Sequence, residues 1–180
     1  MKTAYLLFGL LINLLPLAHL TAYDDDSSLL QIATEEPAAK SSSAALSAAL
    51  TDKEKNELAR SAKEASKKAY APYSKCSEGA ALLTQSGEVY SGANVENASY
   101  GLTICAERSA IFQAVNDGNR EFKAIAISLK NGGFPCGACR QVLNEFNSDL
   151  IVLMVDEDGR KIKETTLKEL LPNAFGPKNL

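Results

Sequence analysis

The hydrophobic positions after residue 50 follow helical and strand spacings in turn. A first helix is predicted after a capping-box pattern at Thr51 and Glu54. Its apolar face comprises Leu58, Ala62, Ala65 and Ala69. Ala71-Pro72 is expected to end this helix, because proline disfavours helical geometry in the residue before it.

A hairpin and six further elements are predicted after this helix. The two strands of the hairpin read as 79–85 and 88–95, with the turn at Ser86-Gly87. The remaining pattern predicts a helix at 105–118, a strand at 122–129, a helix at 136–146, strands at 150–156 and near 161–163, and a helix at 166–172. This order predicts an α/β fold in which helices cover a mixed five-stranded sheet, a three-layer α-β-α domain.

The first 50 residues differ in composition from the rest of the chain. Met1–Ala22 combines Lys2, an apolar run and the small pair Thr21-Ala22, which is the layout of a signal peptide. A membrane anchor, an unusual transit peptide and a gene-model artefact are the alternatives for it. Residues 23–50 are small, polar and irregular, and they read as a low-complexity linker. We expect one folded domain at 51–180, secreted if the leader is genuine and cytoplasmic otherwise.

Composition and charge exclude several classes of function. The chain of 180 residues is long enough for one domain with a sizeable core. Its net charge of -3 does not suggest binding to a phosphate backbone, so no nucleic-acid partner is expected. The one histidine, His19, lies in the leader. A protein that has lost this leader therefore has neither a Ser-His-Asp triad, nor a Cys-His pair, nor a zinc site with imidazole ligands.

Three of the four cysteines stand where predicted helices begin. Cys105 opens one helix, and Cys136 and Cys139 lie one turn apart at the start of another. Helix N-termini favour the thiolate that binds zinc, and three protein ligands with an open fourth position are typical of catalytic zinc. A redox pair, a disulfide and a fourth ligand from Cys76 are alternatives at this point. Glu107 could serve the open position as a proton shuttle, although an early-helix glutamate is commonly a surface residue.

These motifs resemble a known family. The segments CAERSA at 105–110 and PCGACRQV at 135–142 look like the zinc-dependent cytidine deaminases of the small homotetrameric kind. The similarity continues in NVENASYGLTICAER at 94–108, in AYAPYS followed by GAALLT, and in ELLPNAFGP near the C-terminus. It covers roughly residues 52–180.

The resemblance implies a reaction and its zinc site. Cys105, Cys136 and Cys139 would hold one zinc ion per chain, and Glu107 would shuttle protons. The implied reaction is hydrolytic deamination of cytidine and deoxycytidine to uridine and deoxyuridine, with release of ammonia, as in pyrimidine salvage. Arg108 resembles a residue that donates to thiolate sulfur and offsets its charge.

The resemblance also implies a nucleoside pocket. Asn94 and Glu96 match sugar-holding positions, with Glu96 accepting a hydrogen bond from the 3′-hydroxyl, and Ala106 matches a substrate-binding position. Phe175 and Tyr100 match residues that reach a neighbouring subunit's site in a homotetramer. A small nucleoside is therefore the expected partner, with neither polynucleotide nor a stable membrane partner.

The chain departs from the family pattern at one place. Where the family usually reads Tyr-Ser-x-Phe-x-Val-Gly, this chain has YSKCSEG at 73–79. Cys76 replaces a phenylalanine of the pocket, which costs substrate packing up to ~2 kcal/mol or more, and Glu78 replaces an apolar strand residue. The alternative functions are a non-catalytic secreted zinc-binding protein of this fold, a blasticidin-type deaminase and a thiol oxidoreductase.

Overall fold

A computed structural model describes residues 49–156, 158–159 and 162–180, so the predicted leader and nearly all of the predicted linker lie outside the described residues. The helices in these ranges are α1 (Asp52–Ser66), α2 (Ala106–Asn116), α3 (Gly137–Asn144) and α4 (Leu167–Leu170). The strands are β1 (Gly79–Thr84), β2 (Val89–Ala93), β3 (Phe122–Ser128), β4 (Ile151–Val155) and β5 (Ile162–Thr166). None of these helices has the length and apolar character needed to cross a bilayer.

The five strands form one mixed sheet in the order β2-β1-β3-β4-β5. Strands β3 and β4 are parallel, and every other neighbouring pair is antiparallel. A parallel pair needs a crossover connection, which α3 supplies. The predicted element order and the mixed five-stranded sheet are therefore confirmed.

Helices cover both faces of this sheet. Successive residues of a strand point to opposite faces, so Ala80 and Leu82 pack with α2 on one side. Ala81 and Leu83 pack with α1 on the other side. Helices α3 and α4 contribute apolar residues to the α2 side. The predicted three-layer α-β-α arrangement is confirmed.

Helix α1 ends earlier than its apolar pattern predicts. It stops at Ser66, and Ala69 lies beyond it, half-buried. Tyr70 is already extended, because its N–H donates to the Asn94 carbonyl at 3.0 Å and its carbonyl accepts from the Glu96 N–H at 2.8 Å. These two bonds hold the chain against the segment after β2, so the helix cannot continue to the proline.

The core begins one residue before the predicted domain boundary. Leu50, assigned above to the linker, is only 5% exposed. It packs on the α1 side of the sheet with Leu58 and Leu153. Burial of a leucine side chain stabilises a fold by about 1.5–3 kcal/mol, so Leu50 belongs to the folded domain in energetic terms.

One edge of the sheet collects the candidate functional residues. The register pairs Gly79 with Ala93 and with Ser128, so the start of β1 lies beside the ends of β2 and β3. The segments that continue from these three strand ends carry Cys76, Glu78, Asn94, Glu96, Cys105 and Cys136. Residues far apart in sequence therefore meet at this edge because of strand pairing alone.

The predicted capping box at the start of α1 is present and is tied to the sheet. The Glu54 carboxylate accepts from the Thr51 N–H at 2.7 Å and from Lys123 Nζ at 2.8 Å. These hydrogen bonds, first the one from Lys123, lower the pKa of Glu54 to about 2. Because this pKa lies below the ordinary value of 4.5, the carboxylate stabilises the fold above that pH and loses its effect as the pH falls towards 2.

We expect Glu54→Ala to lower the free energy of unfolding by about 1–2 kcal/mol at pH 7, because it removes a cap and an ion pair. The loss should be smaller at pH 3, and urea denaturation at both pH values measures it. Glu57→Ala is the matched control on the same helix, since the exposed Glu57 has only a 4.0 Å pair with Lys53. A loss of equal size at both pH values would contradict the role of the charge.

Candidate metal centre and active site

Three thiols meet at the edge of the sheet described above. The Cys105 and Cys136 sulfur atoms are 4.0 Å apart, and those of Cys136 and Cys139 are 3.5 Å apart. All three lie within 4.8 Å of one another. Cys139 is buried, Cys105 is half-buried and Cys136 is exposed. The structure thus brings together the three cysteines that the sequence selects.

The two helix starts place these thiols. Cys105 is the N-cap residue of α2, and Cys136 is the N-cap residue of α3, which puts Cys139 in the first turn of α3. Neither N-cap side chain makes a capping hydrogen bond to its own helix, so both sulfur atoms are free to face the common point. Unpaired N–H groups at the N-termini of α2 and α3 favour negative charge there.

Zinc fits this cluster. Sulfur atoms bound tetrahedrally at about 2.3 Å from zinc lie about 3.8 Å apart, and the two measured separations lie on either side of that value. Three thiolate ligands leave one position of a tetrahedral ion for water or substrate. Among the described residues, Cys76 is not part of the cluster, so it does not supply the fourth ligand considered above.

The charge states of the thiols are coupled through their contacts. A hydrogen bond from the Cys139 thiol, with a further one from Arg108, lowers the pKa of Cys105 to about 5. The same interaction with Cys105, together with burial, raises the pKa of Cys139. Arg108 Nη2 lies 3.7 Å from Cys105 Sγ and donates to the Thr103 carbonyl at 3.1 Å. The predicted contact between Arg108 and a thiolate sulfur is thus present.

Glu107 is a buried carboxylate beside the thiols. It is 1% exposed, and neither of its oxygens has a hydrogen-bond partner within the protein. Its carboxylate lies within 4.8 Å of Cys105 Sγ and of the Glu78 carboxylate. Burial, and then the charge of Glu78, raise the pKa of Glu107 to about 8. A buried group of this kind needs a partner, and a bound ligand or water at the site would supply one.

Arg140 is a residue that the sequence analysis missed. Its Nε donates to the Pro135 carbonyl at 2.8 Å, and its Nη1 donates to the Leu170 carbonyl at 2.7 Å. It therefore ties the loop before Cys136 to the end of α4. The sequence signal that could have identified Arg140 is its position directly after Cys139 in the segment PCGACRQV at 135–142.

Asn94 and Glu96 lie at the same edge but bind protein backbone. Asn94 is 7% exposed; its Oδ1 accepts from the Glu78 N–H at 2.9 Å, and its Nδ2 donates to the Cys76 carbonyl at 3.0 Å. The Glu96 carboxylate accepts from the Ser74 hydroxyl and, at 2.8 Å, from the Tyr73 N–H. Bonds from Ser74 and Tyr73 lower the pKa of Glu96. Each side chain retains unused capacity for a sugar hydroxyl.

The two aromatic candidates are exposed. Tyr100 is 76% exposed, and its ring centroid lies 6.1 Å from that of Tyr73. Phe175 is 62% exposed, while its carbonyl accepts from Gln141 Nε2 at 2.8 Å and from Asn144 Nδ2 at 3.2 Å. The tail is thereby fixed to α3, and the Phe175 ring is left uncovered by its own chain.

The departure from the family pattern changes the site. Cys76 is exposed and contributes no ring. Glu78 precedes β1, and its Oε2 accepts a hydrogen bond of 3.1 Å from the Ala106 N–H at the start of α2. Burial raises the pKa of Glu78. A second carboxylate therefore stands beside Glu107.

The geometry of the thiol cluster predicts which cysteines retain metal. Cys105→Ser, Cys136→Ser and Cys139→Ser should each reduce bound zinc from about one ion per chain to well below that, because hydroxyl is a weak ligand in a site built for thiolates. Cys76→Ser is the matched control and should keep zinc. Elemental analysis of the purified proteins measures the metal content, and loss of zinc only in Cys76→Ser would refute this assignment.

Known proteins are similar to this chain in both sequence and fold. Residues 52–155 match the model of a family described as the cytidine and deoxycytidylate deaminase zinc-binding region. The cytidine deaminase of Sporosarcina psychrophila is 48% identical over 126 residues, which cover 68% of this chain and 92% of that protein. The probable cytidine deaminase of Dictyostelium discoideum is 49% identical over 115 residues, 62% of this chain and 77% of that protein.

Solved structures agree with these relatives. The crystal structure of cytidine deaminase from Burkholderia pseudomallei has a TM-score of 0.65 and 47% sequence identity, and the match covers 70% of this chain and 100% of that chain. The family match contains the three clustered cysteines, Glu107 and Arg108. The chain belongs to the cytidine and deoxycytidylate deaminase zinc-binding family.

Proposed function

We propose that this protein is a zinc-dependent cytidine deaminase that hydrolyses cytidine and deoxycytidine to uridine and deoxyuridine with release of ammonia. One observation carries the proposal: the buried Glu107 carboxylate has no partner in the protein and lies beside three clustered thiols. Family membership and the named relatives support it. A non-catalytic zinc protein does not need such a carboxylate, and a thiol oxidoreductase does not need a third cysteine beside its Cys-x-x-Cys pair.

Cys105, Cys136 and Cys139 would hold the zinc ion. Bound zinc supplies a Lewis acid that activates water for hydrolysis. The extra negative charge of a third thiolate weakens a Lewis acid, and the Arg108 guanidinium near Cys105 Sγ offsets it.

Glu107 moves the protons of the reaction. Hydrolysis at C4 of the cytosine ring requires a proton at N3 and another at the departing amine. A carboxylate that is buried beside the thiols can take the two protons of the attacking water in turn and deliver one to N3 and the other to the departing amine. Burial raises the pKa of Glu107, which suits a group that must hold a proton between its uptake from water and its release to a ring nitrogen.

The edge at 73–96 favours a free nucleoside. Glu96 is held in place by Tyr73 and Ser74, and it can accept a hydrogen bond from a sugar hydroxyl. A carboxylate at this place repels a phosphate group, so nucleotides and polynucleotide are disfavoured. Asn94 binds the same segment through the Glu78 N–H and the Cys76 carbonyl. A nucleoside thus suits this site better than a blasticidin-type substrate.

The exposed aromatic residues favour a homotetramer. Tyr73, Tyr100, Leu102 and Phe175 are each about half or more exposed in the single chain. Exposed apolar side chains of this size are commonly covered by a partner. In the proposed assembly the Phe175 ring completes the site of a neighbouring copy, and Tyr100 lies at the same contact.

The proposed biological role is pyrimidine salvage. The reaction converts one free nucleoside to another and needs no partner beyond substrate and water. Secretion of the enzyme is a prediction that depends on the leader at 1–22 alone.

Glu107→Gln should lower kcat for cytidine by about 10²–10⁴-fold, because an amide cannot relay protons. Zinc content should stay at about one ion per chain. Ammonia release from cytidine and elemental analysis measure the two quantities on the same sample. Glu145→Gln, which changes an exposed residue of the same type, is the control. Turnover near that of the unaltered protein in a zinc-loaded Glu107→Gln variant would end this mechanism.

Mixed oligomers test whether Phe175 acts in a neighbour's site. Phe175→Ala and Glu107→Gln chains, each weakly active alone, are co-expressed with different tags and isolated through both tags. Sites that combine Glu107 of one chain with Phe175 of the other should restore activity well above that of either parent. If the mixed oligomers show only the mean activity of the parents, or if the active protein is a monomer, shared sites are refuted.

A further inference from the structure

The Glu78 carboxylate accepts the hydrogen bond of a backbone N–H at the centre of the site. Its Oε2 accepts from the Ala106 N–H at 3.1 Å. Ala106 is the first residue of α2 and is fully buried, so its N–H has neither an intrahelical partner nor water. The same carboxylate lies within 4.8 Å of the Glu107 carboxylate and of Cys105 Sγ.

The backbone around Glu78 is fixed, which aims the side chain at this donor. Asn94 Oδ1 accepts from the Glu78 N–H at 2.9 Å. The next residue, Gly79, lies so close to α1 that an added Cβ would be 2.1 Å from the Ala62 carbonyl oxygen. Both contacts hold the backbone of residues 78–79 between α1 and the segment after β2, which places the Glu78 side chain beside the start of α2.

No cation lies in direct contact with this carboxylate in the part of the chain that the structure describes. Among the described residues, no lysine or arginine nitrogen lies within 4.0 Å of Glu78. Its neighbours at the site are the Glu107 carboxyl group and the Cys105 thiol. One backbone N–H at a helix start is therefore the contact that holds the Glu78 carboxylate in place.

The Ala106 N–H is the donor that a pyrimidine ring would use. A ring with N3 facing Glu107 presents its 2-carbonyl oxygen as the next acceptor along the same edge. The residue before Glu107 is Ala106, and its N–H is the adjacent donor on the protein. The 2-carbonyl oxygen cannot share that N–H with Glu78, and two acceptors brought face to face repel each other.

We infer that Glu78 sets the substrate affinity of this site by competing with the 2-carbonyl oxygen of the pyrimidine for the Ala106 N–H. This inference rests on the proposed function. Substrate and product enter only when the carboxylate leaves the donor, so both bind less tightly than the remaining contacts allow. Glu78 thus determines affinity, and it weakens the binding of every ring that presents an acceptor to the Ala106 N–H.

The test compares Glu78→Ala, Glu78→Val and Glu78→Gln with the unaltered zinc-loaded protein. The Ala and Val variants free the Ala106 N–H, so KM for cytidine should fall about tenfold or more while kcat changes less than about threefold. The Kd for uridine, measured by calorimetry, should fall by a similar factor. Glu78→Gln keeps an oxygen acceptor, so its KM should stay within about threefold of the unaltered protein. Glu88→Ala, an exposed residue of the same hairpin, is the matched control.

A spectroscopic measurement tests the contact without any ligand. The Ala106 amide proton resonance should move upfield in Glu78→Ala, because the hydrogen bond to a carboxylate is lost. An unmoved resonance, an unchanged or raised Kd for uridine in both Ala and Val variants, or a Gln variant as tight as these two would each overturn the inference. Absence of ammonia release from cytidine in every protein would refute the proposed function instead, while the uridine Kd values would still decide the role of Glu78.

Discussion

The convergence of two helix N-termini at one edge of the sheet is the constraint on which the site depends. The parallel pairing of β3 with β4 forces a crossover, and α3 therefore starts just beyond the end of β3. The antiparallel hairpin brings α2 to the same edge. Each helix start offers unpaired N–H groups that favour negative charge, which makes this the one place in the described fold where three thiols can share a point.

The cost of this arrangement is concentrated negative charge in a buried place. Glu107 and Glu78 lie beside the thiols, and the cation in contact with the thiols is the Arg108 guanidinium, which lies against Cys105 Sγ. Burial raises the pKa values of both carboxyl groups, which reflects an environment that disfavours their charge. A divalent cation bound to the thiols offsets this negative charge, so metal binding and the stability of this edge are coupled.

Most of the fold and the centre of the site could be predicted from the sequence, because both depend on local patterns. Capping residues, apolar periods and the spacing of Cys136 and Cys139 are visible in short windows. The early end of α1 was missed because Tyr70 pairs with a segment that follows two strands later. The same applies to Arg140, whose partner Leu170 lies 30 residues away. Long-range contacts leave no periodic signal, so the end of α1 and the partner of Arg140 could not be predicted from local spacing.

The departure at Cys76 and Glu78 shows how a small change in one segment can redirect a site. The sequence presented the two residues as losses, a missing ring and a charge in an apolar strand. In the structure Glu78 lies outside the strand, and Asn94 binds the Cys76 carbonyl, the Glu78 N–H and the Glu78 carbonyl. Asn94 is also the residue proposed to hold the sugar. A change in the 76–78 segment should therefore affect the proposed sugar contact as well, since the same amide positions the backbone of Glu78.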